Sequence, residues 1–106
     1  MTDHAPTVST AFQAFLSEAP GQSQAWGSMV EGLAAASALD PKTAALAYLA
    51  VLAALRLEGG IPFHVKAARG VGASRQEVVS AILIGLPAAG HVVTQVLPAA
   101  LAAYDA

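Results

Sequence analysis

Between Asp40-Pro41 and Glu58-Gly59-Gly60 runs a stretch charged only at Lys42 and Arg56, and from Ala44 to Leu55 it carries no charge at all. Asp40 is of the type that caps a helix N-terminus. Pro41 suits the first helical position, where an N–H would have no intrahelical partner. The spacing therefore predicts a long helix from Pro41 to about Leu57. A helix apolar nearly all round has no solvent face of its own, so it is expected at the buried centre of a bundle. It does not cross a membrane, since Ala44–Leu55 falls short of the roughly 20 apolar residues a spanning helix needs.

The rest of the chain is punctuated into further short helices, and no alternating strand pattern competes with them. A first helix is expected over about Thr7–Ser17, stopping before Pro20-Gly21. A second covers Gln22–Ala36, with Trp26, Met29, Val30 and Leu33 at helical spacing. Another runs over Pro62–Arg69 and ends at Gly70 and Gly72. Ser74 and Glu77 form S-x-x-E, a capping box, ahead of Val78, Val79, Ile82, Leu83 and Leu86. Pro87 and Gly90 break that helix. A final one, about His91–Tyr104, contains Pro98, which kinks it or marks a boundary. The expectation is a single all-α domain over residues 1–106, a bundle of about six helices, with residues 1–21 the least sharply patterned.

Composition adds a quaternary expectation. Of 106 residues 56% are hydrophobic and 11% charged, against a usual charged share of about 25%. Too few charges remain to cover a small monomer, so a homo-oligomer with closed symmetry is expected. The stretch from Val78 to Tyr104 is interrupted by Pro87, Gly90, His91, Thr94, Gln95 and Pro98, so it too is not a membrane span. Asp3, His4 and Pro6 do not resemble a signal peptide, and a cytoplasmic protein is expected. A net charge of −2 gives no electrostatic ground for nucleic-acid binding. Arg56, Lys66, Arg69 and Arg75 cluster in sequence and are read as a solvated face with helix C-terminal charges. The chain has no cysteine, which removes disulfides, thiolate metal sites and thiol redox chemistry. His4, His64 and His91 lack ligand-like spacing, so no metal or cofactor is expected.

The residue best placed for chemistry is His64, in the first turn of an apolar helix behind Gly59-Gly60-Ile61-Pro62. The positive end of the helix dipole disfavours imidazolium and favours the neutral ring that accepts a proton. Burial as a cap or a subunit bridge is its structural alternative. Glu58, six residues earlier, either orients the imidazole or acts as a second acid/base, or is an ordinary exposed carboxylate. Arg56 is a candidate for binding a substrate carboxylate, although a base at a helix C-terminus already has a structural role. His91 and Gln95, with Thr94, either line a cleft with His64 or make polar contacts across a subunit interface. Tyr48 and Trp26 are read as core aromatics in preference to ligand platforms.

Ordered short motifs from about Gln22 onward resemble the carboxymuconolactone decarboxylase and alkylhydroperoxidase D-type family. These are Leu39-Asp40-Pro41-Lys42-Thr43, then His64-Val65-Lys66-Ala67-Ala68, Gly72-Ala73-Ser74-Arg75-Gln76-Glu77-Val78, and the small-residue turn at Pro87–Gly90. The resemblance implies a helical bundle assembling as trimers or hexamers, with sites near subunit interfaces. Its peroxidase branch uses a glutamate, a C-x-x-C pair and a histidine. The histidine falls on His64, the cysteines on Leu57 and Gly60, and the glutamate on Ala45. Three of four chemical groups are absent, so thiol peroxidase activity is excluded. The decarboxylase branch also lacks the cysteine pair and keeps the histidine, and its chemistry needs proton transfer and dienolate stabilisation without thiol or metal. The expected function is thus a cofactor-independent lyase, isomerase or cyclase acting on a small organic acid or enolisable compound. His64 and Glu58 are its expected catalytic groups, and Arg56, His91 and Gln95 its substrate-binding groups. The alternative is a non-catalytic binder or structural oligomer with a decayed site.

Overall fold

Asp40 caps its helix as its position predicts: Oδ1 accepts from the Thr43 N–H at 2.8 Å and Oδ2 from the Thr43 hydroxyl at 2.9 Å. The computed structural model describes residues 8–106. Their order is α1 (Thr10–Glu18), α2 (Pro20–Ala36), α3 (Pro41–Ala54), a 3-10 turn (Glu58–Gly60), α4 (Ile61–Gly70), α5 (Arg75–Leu83), the one-turn α6 (Leu86–Ala89), a 3-10 segment (His91–Val96) and α7 (Leu97–Asp105). Six helices have nine residues or more, and among the described residues there is no strand. The expected start of the first helix at Thr7, and the Asp3-His4-Pro6 segment, lie outside the described residues. Among the described residues, no helix is long and apolar enough to cross a membrane.

The core is built by α3, α4, α5, the second 3-10 segment and α7. Leu49, Leu52 and Ala53 of α3 meet Ile61, Val65 and Ala68 of α4, Val78 and Ile82 of α5, and Val93, Val96 and Ala100. α3 lies against α4 on one side and α5 on the other, and α4 packs along α7. The capping box of α5 is complete: Ser74 Oγ accepts from the Glu77 N–H at 3.0 Å, and Glu77 Oε1 accepts from the Ser74 N–H at 2.8 Å. Pro87 and Pro98 both sit in the first turn of a helix, where the missing N–H is harmless.

Four expectations are corrected. α3 ends at Ala54, not Leu57, because Arg56 takes a left-handed φ of 57°. There the Leu57 N–H reaches back to Leu52 O at 2.9 Å and the Arg56 N–H to Ala53 O at 3.2 Å, the paired bonds of a Schellman stop. α3 is also only half covered, since Tyr48, Val51 and Leu55 on one side are exposed. Tyr48 and Trp26 are therefore not core aromatics, at 47% and 41% exposure. The last helix begins at Leu97, and His91–Val96 is 3-10.

α1 and α2 form a hairpin that packs on itself through Phe12, Phe15 and Trp26, with Trp26 edge-on to both phenyl rings at 5.2 and 6.2 Å. Ser23 is the one buried residue of α2, its hydroxyl donating to Pro20 O. At the other end the chain is clamped. Arg69 Nη1 donates to Tyr104 O and Ala106 O at 2.9 and 3.0 Å, with its guanidinium 5.4 Å from the Tyr104 ring centroid. The Tyr104 hydroxyl donates to Ala73 O at 2.8 Å. Arg75 makes a two-pronged pair with Asp105 at 2.9 and 3.0 Å. Two of the four clustered basic residues are thus engaged in holding α7.

Candidate functional site

The short path from α3 to α4 fixes the neighbourhood of His64. The left-handed turn at Arg56 reverses the chain, and one 3-10 turn delivers it to Ile61, which is fully buried and anchors the start of α4. Pro62 follows in the first turn. His64 then stands half-buried beside the α3 wall, with Val65 fully in the core behind it. Its imidazole lies 4.5 Å, centroid to centroid, from the ring of Tyr48 on α3 and 5.1 Å from the ring of Phe63. A Cβ on Gly60 would rest 3.6 Å from the Leu52 side chain and 3.8 Å from His64 Cδ2, so a side chain at this position would stand against the imidazole.

Burial lowers the His64 pKa below its ordinary value. Removal from water disfavours the cation, which leaves a neutral ring at neutral pH. The sequence argument reached the same protonation state from the helix dipole; here desolvation is the cause. The half-exposed edge of the imidazole, the Tyr48 hydroxyl and the exposed Phe63 ring make a partly apolar surface with a proton acceptor in it.

The other expected site residues are less closely gathered. Glu58 is exposed in the 3-10 turn and Arg56 is exposed at the left-handed position. His91 and Gln95 are exposed on the second 3-10 segment, where the Thr94 hydroxyl donates to His91 O at 2.7 Å. No hydrogen bond among the described residues joins His64 to any of the four. A groove of about 580 Å3 runs between α3 and α5 along Thr43, Leu46, Ala47, Ala50, Ala81 and Ile84. None of the five expected site residues lines it.

Sequence reasoning missed two features. Tyr48 is the nearest aromatic partner of His64 on another helix. The only signal for it was a polar tip in an otherwise apolar helix. Arg56 occupies a conformation that costs a side-chain-bearing residue roughly 1–2 kcal/mol relative to the right-handed region. Gly72, at the matching stop of α4, uses glycine for the same turn (φ 96°). An arginine standing where glycine is easier is a strained residue beside His64 and its neighbours.

Ala45 packs against the core, Leu57 is half-exposed and Gly60 ends the 3-10 turn, and the chain has no cysteine to serve as a thiolate. No curated protein and no solved structure matches the chain. The family model described as carboxymuconolactone decarboxylase matches residues 20–104, which takes in α2 through all but the last residue of α7 and every residue of the site just described. The chain belongs to the carboxymuconolactone decarboxylase family.

Proposed function

We propose that this protein is a cofactor-independent acid/base enzyme of the lyase or isomerase type, acting on a small organic acid or enolisable compound. The observation that carries the reading is the neutral, half-buried His64 set against Tyr48 and Phe63 in a member of this family. A neutral imidazole takes a proton from carbon and returns it elsewhere on the substrate. The aromatic flank offers a face for a flat conjugated intermediate. Arg56 supplies a cation for a substrate carboxylate, and Glu58 a second proton carrier once substrate draws the loop together. His91 and Gln95 complete the polar set from the opposite segment or from a neighbouring subunit. The working form is a homo-oligomer, a trimer or hexamer as the family resemblance implies, and its setting the cytoplasm.

A second reading, a non-catalytic small-molecule binder or structural oligomer, draws support from the exposure of Glu58, Arg56, His91 and Gln95 with no hydrogen bond to His64. One experiment separates the two. Small lactones and 2-oxo acids are incubated in D2O with the unmodified chain and with His64→Gln, and deuterium incorporation is followed by NMR. Enzyme-dependent exchange should fall by about 10²–10⁴-fold in the variant. Exchange no faster than buffer for every compound, or equal for both proteins, supports the binder.

A further inference from the structure

The α2 helix carries an apolar stripe that its own subunit leaves largely in water, Trp26 being flanked there by Phe12 and Phe15 of α1. Trp26, Met29, Val30 and Leu33 recur at helical spacing and are 41%, 52%, 41% and 65% exposed. α2 packs on α1 and makes no extended contact with the body formed by α3–α7. With α1 as its one extended partner, α2 draws little support from tertiary packing, and an apolar face left in water gains nothing. The stripe therefore needs a cover. The same chain presents a matching surface: the groove between α3 and α5, lined by Ala47, Ala50, Ala81 and Ile84, the last 71% exposed, with Gln76 and Ser80 of α5 among its polar members.

We propose that α2 of one copy seats its Trp26–Leu33 stripe in the α3/α5 groove of a second copy, each subunit giving one arm and receiving one. The fit is one of volume and length. Large side chains on the arm face alanines in the groove, which lets the helix axes approach to the usual packing distance of about 8–10 Å. Both the stripe, Trp26 to Leu33, and the groove wall on α3, Thr43 to Ala50, cover a rise of roughly 10 Å. The stripe brings no charge of its own into the groove. Glu31, the one charged residue of α2, lies off the stripe, and Glu77 at the groove rim is already paired with Lys42 at 2.8 Å. The area is also sufficient. At these exposures each large side chain leaves on the order of 100 Å2 in water. One arm in one groove then hides about 800 Å2 over both surfaces, and a reciprocal exchange about 1,600 Å2, the standard size of a stable interface.

The inference rests on the homo-oligomer reading and is independent of any reaction at His64. It is tested by cross-linking, which the cysteine-free sequence makes clean. Leu33→Cys and Ala50→Cys are prepared as separate chains, mixed, and oxidised. Covalent dimer should form in the mixture and be lost when Ala50→Cys is replaced by Val71→Cys, an exposed position outside the groove. Equal cross-linking with both partners, or none with either, overturns the docking. A second variant, Met29→Glu with Leu33→Glu, should give monomers by light scattering while circular dichroism keeps the helices of the body. An assembly that survives that change overturns it as well. An unmodified chain that is monomeric overturns the homo-oligomer reading too, whereas an oligomer in which Leu33→Cys and Ala50→Cys chains do not cross-link overturns the arm docking alone.

Discussion

Tyr48 and His64 face each other across the α3–α4 contact with ring centroids 4.5 Å apart and planes inclined by 45°. The phenol ring is thus part of what keeps water from the imidazole, and burial is what lowers the His64 pKa. Tyr48→Ala should return that pKa toward about 6.5, and Tyr48→Phe should leave it low. An NMR titration of the imidazole reads both. Equal values in the two variants would show that the backbone at Gly60 and the core supply the burial instead.

Stability should carry the mark of the same shift. A folded chain whose His64 pKa lies below the unfolded value binds fewer protons than the unfolded chain in the window beneath about pH 6.5, so stability rises with pH through that window and levels off above it. Asp40, Glu77 and Asp105 are lowered by the Thr43 N–H, by Lys42 and by Arg75 respectively. Their contribution is present above the ordinary carboxylate range and is lost as pH falls through their folded values, a more acidic window. Urea midpoints between about pH 5 and 7.5 should slope for the unmodified chain and flatten for His64→Gln.

The strained turn gives a test of Arg56. Arg56→Gly relieves a left-handed side chain at a helix stop and should stabilise the fold by about 0.5–1 kcal/mol, the cost of backbone freedom in the unfolded chain offsetting part of the relief. If Arg56 binds a substrate carboxylate, ligand affinity falls while stability rises. A thermal melt with a ligand titration measures the two together, and a gain in both would remove Arg56 from the site.

The C-terminal clamp should show unequal parts. Tyr104→Phe loses the hydroxyl's bond to Ala73 O and should cost about 1 kcal/mol. Asp105→Asn weakens an exposed pair with Arg75 and should move the melting midpoint little.

Restoring cysteines should not restore peroxidase chemistry. A Cβ at Gly60 meets only ordinary contacts, the nearest at 3.6 Å, so Leu57→Cys with Gly60→Cys should fold and present a reactive dithiol. Hydroperoxide turnover should stay poor because Ala45 gives the relay no carboxylate. Efficient turnover would show that the glutamate position is dispensable here.

The caps were legible in the sequence because their signals are local: Asp40 before Pro41, and Ser74 three residues ahead of Glu77, each form the bonds their types favour. The exposed side of α3 was not legible. A helix apolar on every face has no phase, so nothing in the pattern says that Leu49 and Leu52 go in while Tyr48 and Val51 stay out. The 3-10 form of His91–Val96 was hidden for a related reason. Bonds to the third or the fourth residue back leave nearly the same spacing over six positions. Arg56 was hidden because a left-handed residue announces itself only when it is glycine. The helix-dipole argument and the burial of His64 act on its pKa in the same direction, downward.

The separation of α2 from the body has a consequence for motion. Only the stretch from Ser37 to Asp40 joins the two, and among the buried residues of the core none comes from α1 or α2. Opening of the hairpin therefore removes no residue from the core cluster, and the two parts should unfold as separate cooperative units. Backbone amides of α3 and α4 should exchange with solvent deuterium only through global unfolding, and those of α2 far sooner, at a rate that slows as protein concentration rises.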